Sequence, residues 1–201
     1  MSILNINWKP EFGAIFTWFA MDKNGKIAVM INNCYGYLPK CLLSIENVES
    51  LLDHLNEYMW EESSIYSNYP KNKKGNFKLD LYSYWRHKNI PDKKTVLADL
   101  TNDFIQSGHY SDVNLAINKG FFEYQAIEGS IEGEDYPIGY EGVTKMGDYF
   151  RYLMPTVYAS IEDFPEELRH GIAVSDTVDF TTDRLLDNDK INEYFLRMYK
   201  K

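Results

Sequence analysis

The hydrophobic pattern begins with residues 13–20, Gly-Ala-Ile-Phe-Thr-Trp-Phe-Ala, a nearly unbroken apolar run rich in aromatic and β-branched side chains. Such a run predicts a strand buried on both faces. Asp22-Lys23-Asn24-Gly25 follows, and the Asn-Gly pair tolerates the positive φ values of a tight turn. Residues 26–31 supply a second strand, so the chain opens with a β-hairpin. Residues 32–39, with Asn, Gly and Pro, form a loop. The period then changes. Ile45, Val48, Leu51, Leu52, Leu55, Tyr58 and Met59 recur at three- and four-residue spacing, which aligns them on one helix face. Ser44 is the expected N-cap, and Glu46 and Glu49 suit the positive end of the helix dipole.

Residues 63–92 break the pattern. They are rich in Lys, Asn, Ser and Tyr, carry Pro70, Gly75 and Pro91, and read as a polar, basic excursion from the domain. Within them, residues 77–82 alternate apolar and polar positions, as an exposed strand does. Residues 95–105 and 112–119 give two short helical patterns, and residues 121–127 a strand. Residues 128–142 hold Gly129, Gly133, Pro137, Gly139 and Gly142 and are mostly loop. Residues 148–160 read as a strand that Pro155 restricts to an edge or bend. Residues 164–168 read as a turn, and a last helix capped by Asp189 aligns Ile191, Tyr194, Phe195 and Met198. Strands and helices are segregated more than alternating. That order predicts an α+β fold in one domain over residues 1–201, with an antiparallel sheet that starts at the hairpin and packs against a few helices.

Charge adds a second layer. The 201 residues carry 30 acids against 21 Lys and Arg, a net −9. A chain this acidic repels nucleic-acid phosphates and anionic lipid, so neither is an expected partner. No apolar stretch is long enough to cross a membrane as a helix, and a cytoplasmic protein is expected. The imbalance is local: residues 121–193 hold 17 acids and 5 bases, whereas residues 71–94 hold 8 bases and only Asp80 and Asp92. An acidic region serves solubility, or it steers a basic partner.

Candidate chemistry is sparse. No dinucleotide or P-loop glycine motif and no Gly-x-Ser-x-Gly elbow occurs. The histidines (His54, His87, His109, His170) are scattered, and Cys34 and Cys41 are seven apart, so no metal or other cofactor is expected. Adjacent carboxylate pairs such as Glu134-Asp135 and Glu166-Glu167 do not converge on one substrate atom. What remains is tyrosine among acids. Tyr136 and Tyr140 lie among Glu132, Glu134, Asp135, Glu141 and Asp148, on Gly-rich loops. Tyrosine gives wide contact area at little rotamer cost, which suits an interface. Those residues, supported by Glu162, Asp163, Glu166 and Glu167, are the expected partner-binding set.

Phe16-Thr17-Trp18-Phe19-Ala20-x-Asp22-x-x-Gly25-x-Ile27-Ala28, leading on to Gly36-x-x-Pro39 and an amphipathic helix, resembles the opening of immunity proteins from bacterial polymorphic-toxin and contact-dependent-inhibition loci. The match covers the first quarter to third of the chain and carries no catalytic residue. The resemblance implies a non-enzymatic protein that binds and neutralises a cognate toxin domain, with a basic, nuclease-like toxin favoured by the charge. A small hydrolase using carboxylates or Cys34, and a general protein-interaction module, are the alternatives.

Overall fold

A computed structural model describes residues 3–90 and 92–200; Pro91 of the polar excursion lies outside the described residues. The first two strands, β1 (Thr17–Met21) and β2 (Ile27–Ile31), pair antiparallel from Thr17↔Ile31 to Met21↔Ile27, forming the expected hairpin. Asp22 builds its turn. The carboxylate is 1 % exposed and accepts from the amides of Asn24 (2.9 Å) and Lys26 (2.8 Å), while Gly25 takes φ +79°. Its other oxygen accepts from the Phe180 amide at 3.0 Å, so one side chain ties the hairpin to the C-terminal third. The strand is shorter than the apolar run. Trp18, Phe19 and Ala20 are fully buried, but Ile15 is exposed and residues 13–16 precede the ladder.

The remaining strands are β3 (Phe77–Leu79), β4 (Tyr82–Ser83), β5 (Phe122–Ala126), β6 (Pro137–Ile138), β7 (Tyr149–Pro155), β8 (Ile172–Val174), β9 (Leu185–Leu186) and β10 (Arg197–Met198). Eight of the ten strands among the described residues form one sheet in the order β10-β8-β1-β2-β5-β7-β3, with β9 also on β7; β4 and β6 pair apart. The fold is α+β. The sheet is mixed: most pairs are antiparallel, whereas β1 with β8 and β2 with β5 run parallel. Both parallel partners arrive after long excursions, and that is what a parallel pairing needs.

The helices are α1 (Lys40–Leu43), α2 (Val48–Met59), α3 (Lys93–Ser107), α4 (Asp112–Asn114, continuing as a π turn over Leu115–Lys119) and α5 (Ile191–Tyr194). Ser44 does not cap the long helix. Its hydroxyl bonds back to the Cys41 carbonyl at 2.8 Å, closing α1, and Asn47 in the left-handed region (φ +56°) separates α1 from α2. The last helix is also shorter than expected. Phe195 turns inward against Trp18 (ring centroids 5.3 Å), and the chain then adds β10 to the sheet edge beside β8. Asp187, not Asp189, caps the turn before α5. Asp92 caps α3, accepting from the amides of Lys94 and Thr95.

Two apolar clusters share the sheet. The larger joins Trp18, Phe19, Met30, Phe122 and Tyr124 to α2. The smaller packs β7 against Val96 and Leu100 of α3 and Val113 of α4. α2 seats against Gly171, where a Cβ would approach Leu55 Cδ1 to 2.7 Å, so glycine sets how closely helix and 3-10 turn (Glu166–Gly171) meet. No helix among the described residues is long and apolar enough to cross a membrane.

Candidate functional site

The outer side of α2 is the starting point. Its apolar stripe, Val48, Leu51, Leu52, Leu55, Tyr58 and Met59, is buried. The opposite stripe places Glu49, Asp53 and Glu57 at four-residue spacing, so three carboxylates lie along one line. Like charges at that spacing each cost an isolated helix about 0.2–0.5 kcal/mol. Glu57, Glu61 and Glu62 also crowd the C-terminal end, where the helix dipole disfavours anions. Packing of the buried stripe holds the helix despite this. Lys119 offsets part of the charge by pairing with Glu61, and His54 lies 3.6 Å from Glu57.

The neighbouring turns, which contact Leu55 and Tyr58 of α2, carry acids of their own. Phe164 is buried against Phe19 and Phe121, with ring centroids at 5.8 and 5.6 Å, and anchors the segment that carries Glu162, Asp163, Glu166 and Glu167. Ser160 and Asp163 form a capping box, and Asp163 pairs with Lys73 at 2.7 Å. Glu162, Glu166 and Glu167 are exposed. The Ser160 hydroxyl bonds to Glu162 and, ahead of weaker help from Arg169, holds that carboxyl below its usual range.

Between these turns and the loop over residues 65–70 lies a cleft of about 410 Å³, walled by Tyr58, Tyr66, Tyr69 and Phe164, with Glu162 and Asp163 beside them. The rings of Tyr58 and Tyr69 are 5.2 Å apart, and Tyr58 and Phe164 6.0 Å. The Tyr58 hydroxyl donates to the Asp163 carbonyl at 2.9 Å. Burial foremost, then the nearby Asp163, pushes that phenol up to about 12, so it stays a neutral donor.

The expected partner-binding residues divide. Asp135 is 3 % exposed and accepts from the Ser83 hydroxyl (2.8 Å) and the amides of Trp85 (2.9 Å) and Glu128 (3.3 Å). Asp148 is also buried and accepts from the amides of Lys145 and Asn188, both at 2.9 Å. These two are therefore corrected from contact residues to internal ties: a Gly-rich loop exposes many amides, and carboxylates are drawn in to satisfy them. Glu134 is half-buried and closes its own turn on the amides of Ser130 and Ile131. Tyr136 stacks on Tyr84 with centroids 4.7 Å apart, and Tyr140 packs against the smaller cluster. Glu132 and Glu141 are exposed, but they sit on the loops around β6, which pairs with β4 apart from the main sheet that carries β8. Glu162, Asp163, Glu166 and Glu167 lie on the turns that pack beside Leu55 and Tyr58 of α2.

The α2 stripe and the tyrosines of residues 65–70 are absent from the expected set. Their signal is in the sequence: residues 41–70 hold six acids and no lysine or arginine. Two bases of the excursion pair with acids of the domain, Lys73 with Asp163 and Arg86 with Glu128, while Lys71, Lys74, Lys78 and Lys88 are exposed. Cys34 is buried with φ +70°, and the Cys41 thiol, bonded to the Phe195 carbonyl, is pushed up to about 11 by burial. Among the described residues no group of three His, Cys, Asp or Glu side chains is placed to hold a metal ion. No family model, curated protein or solved structure matches the chain.

Proposed function

We propose that this is an immunity-type protein that binds and neutralises a cognate basic toxin domain through the acidic, tyrosine-rich face of α2 and residues 162–167. The observation that carries this reading is the unfavourable placement of charge on that face. Asp53 and Glu57 stand at repelling spacing on α2, Glu61 and Glu62 join Glu57 at its C-terminal end, and Glu162, Glu166 and Glu167 are exposed on the turns nearby. A cationic partner relieves that repulsion and is drawn in by the same field, which raises association rates. Nuclease toxins suit such a surface, because a cleft that binds a phosphate backbone is itself cationic. Tyrosine walls add contact area that a purely charged surface lacks.

Co-expression with the product of the adjacent upstream gene tests the reading, and the absence there of any basic, toxin-like product counts against it. A stable complex, and loss of toxin activity on binding, are expected. A neighbouring domain that is basic and toxic yet neither co-purifies nor is inhibited contradicts it.

A further inference from the structure

We infer that the tyrosine-walled cleft beside α2 receives the guanidinium of an arginine side chain presented by the partner. This names the partner chemistry of the face proposed above and rests on that reading.

The cleft has the dimensions and chemistry for a planar cation. Its volume, about 410 Å³, lies within the range of small-molecule sites and exceeds what one side-chain head group fills. Half-buried Tyr66 and Tyr69 line the cleft, with Tyr58 and Phe164 buried behind them, and the faces of such rings carry negative quadrupole charge and attract cations within about 6 Å. The protein already uses one of these rings in that way: Lys119 Nζ lies 5.9 Å from the centroid of Tyr69. The neighbouring carboxylates are not equivalent. Asp163 is occupied by Lys73 at 2.7 Å and by its own cap, whereas Glu162, although bonded by the Ser160 hydroxyl, stands exposed at the cleft's edge. One carboxylate beside several rings matches a guanidinium, which stacks flat on tyrosine and bonds a carboxylate through its edge. An ammonium is a compact, strongly hydrated charge and gains less from flat walls. The loop side of the cleft offers the Asn68 carbonyl, 3.4 Å from the Tyr58 hydroxyl, as a further acceptor.

The test uses the full chain without any toxin. Backbone amide spectra are recorded while capped arginine, capped lysine and capped citrulline are added in separate titrations. Citrulline replaces the guanidinium by an uncharged urea of the same shape. Capped arginine is expected to give saturable shifts confined to residues 65–70 and 162–165, with lysine weaker and citrulline weakest. Tyr66→Ala is expected to weaken the arginine response about threefold and Glu162→Gln about twofold, whereas Glu132→Gln on the distant loop leaves it unchanged. Equal response to citrulline makes the cleft a neutral groove and overturns the inference. Lysine binding as tightly as arginine overturns the guanidinium assignment, and no saturable shift at these residues overturns the site. None of these results touches toxin binding, which the co-expression experiment reads separately.

Discussion

Two regions of this molecule are comparably acidic and use their acids in opposite ways. Between residues 123 and 148 most of the carboxylates are drawn inward, with Glu132 and Glu141 the exposed exceptions. Glu123 is fully buried, Asp135 and Asp148 tie loops together, and Glu128 pairs with Arg86. Along α2 and residues 162–167 most carboxylates stand at the surface, and Asp53, Glu57, Glu61 and Glu62 lie where α2 would be more stable without them. Acid count therefore does not mark a contact surface. What separates the regions is the supply of donors. Asp135 closes on the amides of Trp85 and Glu128, Asp148 on those of Lys145 and Asn188, and Glu134 on those of Ser130 and Ile131, whereas a helix interior has already satisfied its own amides.

The largest predicted effect lies in the inward region. Asp135→Ala removes the acceptor of the Ser83 hydroxyl and of two amides at once. A loss of roughly 3 kcal/mol in folding stability is expected, read as the shift of a urea midpoint. A change near that of a surface substitution shows that Asp135 does not hold the loops.

Glu123 gives a second, opposite effect. It is fully buried, Gln125 donates to one oxygen at 2.7 Å, and the other oxygen has no hydrogen-bond partner. Burial first, then the nearby Asp112, raises its pKa well above the usual 4.5. The native state thus holds this proton more tightly than the unfolded chain does. The stability it contributes is complete below about pH 4.5 and is lost as pH rises through the raised native value. Glu123→Gln keeps the shape and removes the titration. It is expected to stabilise the protein by about 1 kcal/mol near pH 7 and to abolish this part of the pH dependence. Urea midpoints across pH 4 to 8 check it, and parallel profiles for the two proteins contradict it.

On the outward face the signs reverse. Asp53→Lys places a cation four residues from both Glu49 and Glu57. The gain expected in thermal unfolding is about 0.5 kcal/mol, coupled to slower association with the toxin. Stability gained together with binding lost is the mark of a charge kept for a partner. Glu132→Lys on the β6 loop is expected to change stability by less than about 0.5 kcal/mol and association least of all.

The legibility of the fold follows the same division. The hairpin, α2, α3, β5 and β7 stand out because each has a full period of its own, as in Leu51-Leu52-Leu55 or the run Trp18-Phe19-Ala20. β8 and β10 do not. Three and two residues are too few for a period, and long-range contact makes them strands: Ile172 lies beside Phe19, and Arg197 opposite Val174. The break between α1 and α2 hides for another reason. Ile45 continues the helical spacing while Asn47 leaves helical φ. Of the site, Glu162, Asp163, Glu166 and Glu167 were visible as an acid cluster. Tyr66 and Tyr69 were not, because an aperiodic loop gives no sign of which face its rings will take. Asp135 and Asp148 misled because sequence records a carboxylate but not the amides that fold around it.

The central claim, that the α2 side and not the β6 loops meets the basic partner, has one direct measurement. Association rates with the toxin domain are compared across ionic strength for Asp53→Lys/Glu162→Lys/Glu167→Lys and for Glu132→Lys/Glu141→Lys. The first set is predicted to slow association about tenfold at low salt and to flatten its salt dependence, with the second set unchanged. Slowing by the second set alone, or by neither, contradicts the account.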